Sequence, residues 1–395
     1  MVNKQTNNKS HHTRIKGLLI IAALITTLNC FGQTNPGASL MFEKQFVSNE
    51  AFESVGVADI DKDGQLDLIS GSFWYKGPAF IERYFTGPVQ RYAEYYDDFS
   101  EIILDVNQDT WPDVITGGWF GEKLVWRQNP GKDAAWEEHL IARTGNIECT
   151  RGWDMDNDGI PEIVPNTPGK PLVVYKLLKS EPGKVKFDSI RIFDVQGHGL
   201  GYGDINGDGR KDFIVDQGWL ECPIDPFKGK WILHPDFNVK QASVPMIVAD
   251  VNKDGIADVI IGQGHDYGLY WFEQRVDKKN VSTWTRHTMD AYNSQFHTME
   301  WEDIDNDGAP ELITGKRYRA HNDHDPGPHD PIGLYYFKWN GENFSKQVIA
   351  YGTLGVGKGT GIYTQIVDLD KNGWKDIVVA GKDGLCIFYN KGMSK

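Results

Sequence analysis

A nine-residue acidic segment occurs seven times along this 395-residue chain. The copies are DIDKDGQLD (59–67), DVNQDTWPD (105–113), DMDNDGIPE (154–162), DINGDGRKD (204–212), DVNKDGIAD (250–258), DIDNDGAPE (303–311) and DLDKNGWKD (368–376). All obey D-x-[DN]-x-[DN]-[GT]-x-x-[DE], and their starts lie 46, 49, 50, 46, 53 and 65 residues apart. A period near 50 residues means one supersecondary unit used repeatedly, each burying its apolar face against the next.

Asp or Asn at positions 1, 3 and 5, with Gly at the turn, folds oxygen atoms round a hard cation, and the acid at position 9 closes the shell. The candidate calcium ligands are therefore Asp59, Asp61, Asp63 and Asp67; Asp105, Asn107, Asp109 and Asp113; Asp154, Asp156, Asp158 and Glu162; and Asp204, Asn206, Asp208 and Asp212. The remaining loops offer Asp250, Asn252, Asp254 and Asp258; Asp303, Asp305, Asp307 and Glu311; and Asp368, Asp370, Asn372 and Asp376. Up to seven structural Ca²⁺ ions are expected. An EF-hand would place Glu at position 12 between two helices. Here β-type runs follow at once, such as LISGSFW (68–74), VITGGWF (114–120) and VIIGQG (259–264), so the loops join strands.

The flanks repeat too. Apolar stretches such as SVGVA (54–58) and PMIVA (245–249) precede the loops; third strands such as KLVWRQN (123–129), GLYWFEQ (268–274) and GLCIFYN (384–390) follow. A fourth often comes next, as in WEEHLIA (136–142) and FSKQVIA (344–350). Four strands per unit and seven units predict an all-β, seven-bladed β-propeller. The seventh unit stops at its third strand, and MFEKQFV (41–47) is expected to supply the missing one and close the ring. The expected organisation is a signal peptide over 1–33 and one propeller over 34–395.

These repeats resemble the FG-GAP/VCBS family of secreted bacterial propellers and integrin α-chain heads, over roughly residues 41–390. The resemblance implies the fold and the calcium loops; the family hosts adhesins, lyases and binding modules. The stretches HGLGYGDINGDGRKD (198–212), IGQGHDYGLYWFEQ (261–274) and HTMEWEDIDNDG (297–308) look like the propeller part of aldos-2-ulose dehydratase-type proteins, which implies a sugar-eliminating activity. The cupin domains of those fungal proteins have no counterpart among the seven units.

The first 33 residues hold Lys4, Lys9, Arg14 and Lys16, no acid, and an apolar run from Gly17 to Leu28. That pattern predicts export, with cleavage near Gly32–Gln33 or lipidation at Cys30 as alternatives, to the periplasm, the cell surface or the medium. No other apolar run approaches membrane length. Three cysteines remain, Cys149, Cys222 and Cys386, so a disulfide framework does not hold the fold. The net charge is −14, which disfavours a nucleic-acid partner. Yet 24 of the 55 acidic residues lie in the seven loops, so the sign reports cation sites more than a partner.

Propeller geometry then selects a site. The start of each first strand and the turn between strands two and three share the face opposite the acidic loops. Six residues before each loop come Glu53, Phe99, Glu148, His198, Val244, His297 and Ile362. Four of these are Glu or His, and equivalent positions of different blades converge. The turns of the same face add Trp74, Trp119, Trp219, His265, Tyr267, Lys316, Arg317 and Arg319. His198, His265 and His297 are candidate ligands for Zn²⁺ or another divalent transition metal, or separate channel-lining side chains. Glu148 and Tyr267 join those histidines as candidate catalytic groups. Lys316, Arg317 and Arg319 would bind a carboxylate or phosphate group of the substrate, or form a solvated basic cluster. Glu53 is a further candidate substrate-binding residue, a ligand or general base like Glu148, or one of a solvated pair with it. Trp74, Trp119 and Trp219 would stack on sugars, packing in the core being the alternative. The insertion RYRAHNDHDPGPHDP (317–331) carries His321, His324, His329, Asp323, Asp325 and Asp330, a second metal site or a polar surface loop.

Two functions of different class remain. His, Tyr, metal and cations on one face suit removal of a proton beside a carboxylate or carbonyl, the chemistry of polysaccharide lyases and sugar dehydratases. No nucleophile elbow and no locally enforced carboxylate pair points to other hydrolytic chemistry. The alternative is a non-catalytic propeller that displays its loops to a glycan or a protein; on either reading a monomer is expected.

Overall fold

Each acidic loop joins two short strands, and the alternation of the strands around it builds a four-stranded antiparallel sheet. The computed structural model describes residue 1 and residues 39–178, 183–279 and 281–394; the predicted signal peptide, with Cys30, lies outside the described residues. Within the unit Ala38–Lys395 there are seven such sheets. Blade 1 is Gly56–Ala58, Asp67–Ser70, Phe73–Tyr75 and Arg83–Phe85; blade 2 is Ile102–Leu104, Asp113–Gly117, Lys123–Gln128 and Glu137–Arg143. Blade 3 is Cys149–Trp153, Glu162–Asn166, Leu172–Leu177 and Phe187–Phe193; blade 4 is Gly201–Gly203, Asp212–Val215, Gly218–Glu221 and Ile232–His234. Blade 5 is Ile247–Ala249, Asp258–Gly262, Tyr267–Val276 and Ser282–Ser294; blade 6 is Met299–Glu302, Glu311–Gly315, Ile332–Trp339 and Phe344–Gly352. Blade 7 combines Thr364–Val367, Asp376–Val379 and Leu385–Met393 with Leu40–Ser48, which pairs antiparallel with Leu385–Met393.

The first strands pack against one another around the centre, blade 1 touching blades 2 and 7, blade 2 touching 3, blade 4 touching 5, blade 5 touching 6 and blade 6 touching 7. The second strands supply the core. Successive side chains of a strand point to opposite faces, so each second strand serves both neighbours. Val114 packs with Ile69 of blade 1, and Ile115 with Ile163 of blade 3. Phe213 joins Val164, and Ile214 joins Val259. Ile260 meets Leu312, Ile313 meets Ile377, and Val378 meets Leu68. There is one apolar cluster for each of the seven blade junctions, and burial of each such side chain stabilises by about 1.5–3 kcal/mol. Cys149, Cys222 and Cys386 are buried and free. No helix among the described residues is long and apolar enough to cross a membrane.

The acidic loops fold alike. In six of them the position-1 carboxylate accepts the backbone N–H groups of positions 5 and 6, as Asp59 does from Asp63 and Gly64, both at 2.9 Å; in blade 6 Asp303 accepts that of Gly308, and its Oδ1 is buried without a partner. Position 6 is left-handed in all seven, with φ between +76° and +88°; glycine adopts this freely, whereas Thr110 at φ +76° does so at a cost. The position-9 acid is buried and accepts the N–H of position 2, as Asp258 does from Val251. Where that acid is Asp, its second oxygen accepts an N–H from within or just past the third strand, as Asp113 does from Asn129 at 2.8 Å. Position 9 thus staples the loop to its sheet.

Turn lengths change two expectations. In blade 1 the run 68–74 is two strands divided by a tight turn at Gly71 (φ +57°), so Trp74 lies in the third strand. Blade 4 has an equally short turn before Gly218 (φ +135°), which puts Trp219 in its third strand. In blade 2 the turn is longer, and Trp119 stays in it.

Candidate metal centre

Four side chains from four blades meet opposite the acidic loops. Glu148 stands just before the first strand of blade 3, His198 before that of blade 4 and His297 before that of blade 6; His265 comes from the second turn of blade 5. Glu148 Oε1 lies 2.8 Å from His297 Nε2, 3.1 Å from His198 Nε2 and 3.5 Å from His265 Nε2. The Nε2 atoms of His198 and His265 are 2.7 Å apart. All four donor atoms lie within 4.8 Å of one another, and the group is largely buried.

The other ring nitrogens decide what this means. His198 Nδ1 is 2.8 Å from the Ala242 carbonyl, which only accepts, so Nδ1 carries the proton. His265 Nδ1 faces Asp325 Oδ2 at 2.7 Å. In the neutral rings both Nε2 lone pairs then point at each other and at a carboxylate. That arrangement needs a positive charge between its donors, a proton or a metal ion. Three imidazoles and one carboxylate, with a carbonyl and a carboxylate behind two of the rings, are a donor set that fits Zn²⁺ or a similar cation. His297 Nδ1 is buried without a partner, so this ring is held through Nε2.

Electrostatics follow from burial and proximity. Burial opposes the charged form of His265, but Asp325 and Glu148 override it and raise its pKa to about 9. Burial pushes His297 down to about 3. Burial would raise Glu148, yet the three histidines hold it well below the usual carboxylate range.

Beside the cluster lies a cavity of about 290 Å³ walled by Tyr95, Phe99, Trp119 and Phe120, with Glu148, Arg317, His321, Asn322 and His324 on its polar side. Such a volume lies near the lower end for small-molecule sites. Arg317 is buried and forks onto Glu53, Nε to Oε1 at 2.7 Å and Nη2 to Oε2 at 2.9 Å. Tyr95 is pushed up to about 12, chiefly by burial. It lies under Lys382, whose Nζ is 3.7 Å from the ring centre, and its hydroxyl accepts the His321 N–H. His321 stacks on His265 with centroids 4.2 Å apart, and its Nδ1 is 2.9 Å from Asp325 Oδ1. One carboxylate therefore orients two imidazoles.

The sequence-derived positions divide accordingly. Glu148, His198, His265 and His297 converge; Trp119, Arg317, His321 and His324 line the cavity, and Glu53 anchors Arg317. Lys316 is buried with its pKa lowered to about 8 by desolvation, and its Nζ donates to the Arg317 carbonyl. Arg319 is engaged with Asp323, and Tyr267 donates to Asp330 Oδ2 at 2.5 Å; neither lines the cavity, nor does His329. Trp74 stacks on Tyr84 and faces Ile60, Asp61 and Trp111 on the acidic-loop side. Trp219 is buried against His234 at 4.1 Å, with Nε1 donating to Asp236. Their short turns leave both in strands, and neither lines the cavity beside the cluster. Tyr95 was not among the expected site residues. It comes from the hairpin Arg91–Tyr92/Tyr95–Tyr96 between blades 1 and 2, and the Tyr-rich run RYAEYYDDF (91–99) was its only signal.

In the acidic loops, burial raises the position-9 acids: Asp113 and Glu311 to about 7, and Asp212, Asp258 and Asp376 to about 6. Carboxylates so placed gain from a nearby cation.

Fold and site together define a seven-bladed β-propeller with a buried imidazole–carboxylate cluster on one face. Residues 250–314 match the family model described as FG-GAP-like repeat. No curated protein matches the chain by sequence. Among solved structures, the Bacillus licheniformis rhamnogalacturonan lyase PL11 is similar at 14% identity with a TM-score of 0.44, covering 88% of this chain and 72% of that one.

Proposed function

We propose that the protein is an exported, calcium-stabilised propeller that acts on carbohydrate by metal-assisted β-elimination, as a polysaccharide lyase or sugar dehydratase. The observation that supports this most is the meeting of three imidazole Nε2 atoms and the Glu148 carboxylate beside an aromatic-walled cavity. Glu148, His198, His265 and His297 would hold a divalent transition metal, which as a Lewis acid supplies charge stabilisation to a substrate carboxylate or carbonyl. His198, His265, His297 and Glu148 are then ligands, not proton carriers.

Proton movement falls to the cavity wall. With Nδ1–H donated to Asp325, His321 keeps a basic Nε2 that takes the proton from the carbon beside the carboxylate or carbonyl. The electrons of that C–H bond form the C=C bond as the β C–O bond breaks. Tyr95, kept protonated by burial, donates to the departing oxygen. Trp119 and Phe120 offer flat faces for a sugar ring, and Arg317 brings positive charge to the same cavity. A screen of uronic-acid polysaccharides and keto-sugars should reveal an unsaturated product absorbing in the ultraviolet, with turnover lost in His321→Ala and Tyr95→Phe. Binding of glycans without any unsaturated product would replace this reading with that of a display module.

A further inference from the structure

The third strand of each blade places one residue opposite the position-9 acid, one step beyond the pairs Leu68–Tyr75, Val114–Arg127, Ile163–Tyr175, Phe213–Leu220, Val259–Phe272, Leu312–Phe337 and Ile377–Phe388. That residue is Lys76 in blade 1, Lys176 in blade 3 and Lys338 in blade 6. In blades 2, 4, 5 and 7 it is Gln128, Glu221, Glu273 and Tyr389.

The three lysines do the same thing. Lys76 Nζ donates to Asp61 and, at 2.7 Å, to Asp63 Oδ2. Lys176 Nζ lies 2.8 Å from Asp156 Oδ2, 3.5 Å from Asp158 Oδ2 and 2.7 Å from Glu162 Oε1. Lys338 Nζ donates to Asp305 and lies 2.8 Å from Asp307 Oδ2 and 3.2 Å from Glu311 Oε1. Positions 3, 5 and 9 are those from which a loop-bound ion would draw its oxygens. In blades 3 and 6 the acid at position 9 is Glu, and the oxygen that does not accept the position-2 N–H goes to the ammonium.

Position 3 changes with the lysine. It is Asp61, Asp156 or Asp305 where the lysine is present. It is Asn107, Asn206 or Asn252 in blades 2, 4 and 5, where the amide donates to the position-5 carboxylate at 2.9, 3.1 and 3.2 Å. Blade 7 has Asp370, 3.1 Å from Lys391, a lysine that lies two residues past the opposite position and also approaches Glu43. Through blades 1 to 6, positions 1, 3, 5 and 9 carry either four carboxylates with an opposing lysine or three carboxylates without one; in blade 4 the loop's own Arg210 reaches the position-5 Asp208. The extra acid and the lysine come as a pair.

We propose that Lys76, Lys176 and Lys338 are tethered cations that occupy the ion positions of blades 1, 3 and 6, leaving calcium to exchange only at the loops of blades 2, 4, 5 and 7. The second half rests on the calcium reading above; the first half rests on the lysines alone. A divalent ion entering one of the three loops must expel the ammonium or sit beside it against like-charge repulsion.

Equilibrium dialysis of the full chain at about 1 mM free calcium, with bound metal counted per chain, tests both halves separately. Four calcium ions are expected for the natural sequence. Lys76→Gln, Lys176→Gln and Lys338→Gln, which copy the Gln128 of blade 2, should each add one, and the triple variant three. Lys176→Arg keeps the charge and should add none, which guards against an increment caused by loosened folding. Gln variants that bind no more calcium than the natural chain overturn the proposal, whatever the starting total, as does a natural chain that already binds seven. A natural chain that binds none while the Gln variants gain ions leaves the lysine assignment standing and removes the calcium reading of the other four blades.

Discussion

The two faces of this propeller are built on opposite principles. On the acidic face every blade repeats one loop, and the loops draw on their own blades: their carboxylates accept N–H groups from the loop backbone and the blade's own sheet. On the other face no blade repeats another. Glu148, His198, His265 and His297 come from four different blades, and their facing donor atoms meet only one another. Repetition secures the ring; the metal-binding role proposed above falls at the positions where the repeat breaks, with Glu or His among Phe, Val and Ile.

The largest effect should follow from breaking the non-repeating face. His198→Ala combined with His297→Ala removes two donors of the cluster and should abolish transition-metal retention and lower eliminase turnover about a thousandfold or more, while circular dichroism still reports an intact sheet structure. Retained metal in that double variant would show that the cluster is not the binding site.

The buried pair beside the cluster comes next. Glu53→Gln leaves Arg317 buried with its partner charge gone, and chemical denaturation should show a loss of about 3–5 kcal/mol. Acid should erase the difference. Burial opposes ionisation of Glu53, but Arg317 and Lys382 prevail and hold it below its ordinary 4.5. A depressed folded pKa stabilises above the unfolded value, so the natural chain's advantage should be full above pH 4.5 and fade as pH falls through the lower folded pKa. An advantage unchanged by acid would mean that the carboxylate is not the source.

Smaller effects separate wall from core. Trp119→Ala should weaken sugar binding by about 1 kcal/mol, the scale of one aromatic contact, whereas Trp74→Phe and Trp219→Phe should leave it unchanged. Equal losses from all three would return the latter two to the site. On the acidic face, Thr110→Gly should stabilise by about 1 kcal/mol, because a β-branched residue there is held at positive φ. No gain in melting temperature would mean that the Lys62–Thr110 hydrogen bond offsets the strain.

How much of this was legible in the sequence follows the same division. Blade number, strand order and the acidic loops could be read because a period repeated seven times averages out local ambiguity. Glu148, His198 and His297 could be read because a fixed offset from each loop transfers the ring geometry to other residues. The tryptophans could not be assigned by that rule: Gly71 and Gly218 shorten two turns and draw Trp74 and Trp219 into strands, a difference of a few residues that strand patterning does not resolve. Tyr95 lies in a hairpin outside the repeat, so no offset reaches it. The role of Asp325 is a contact 60 residues away from His265, and an insertion's fold is not encoded in the period.

The central claim is that the chemistry of this protein resides in the meeting of His198, His265, His297 and Glu148. Anomalous X-ray scattering from crystals of the purified protein, collected at transition-metal edges, tests it most directly. The account predicts one transition-metal peak per chain among those four side chains, on the face opposite the acidic loops. Peaks confined to the acidic loops, with none at the histidines, would contradict it.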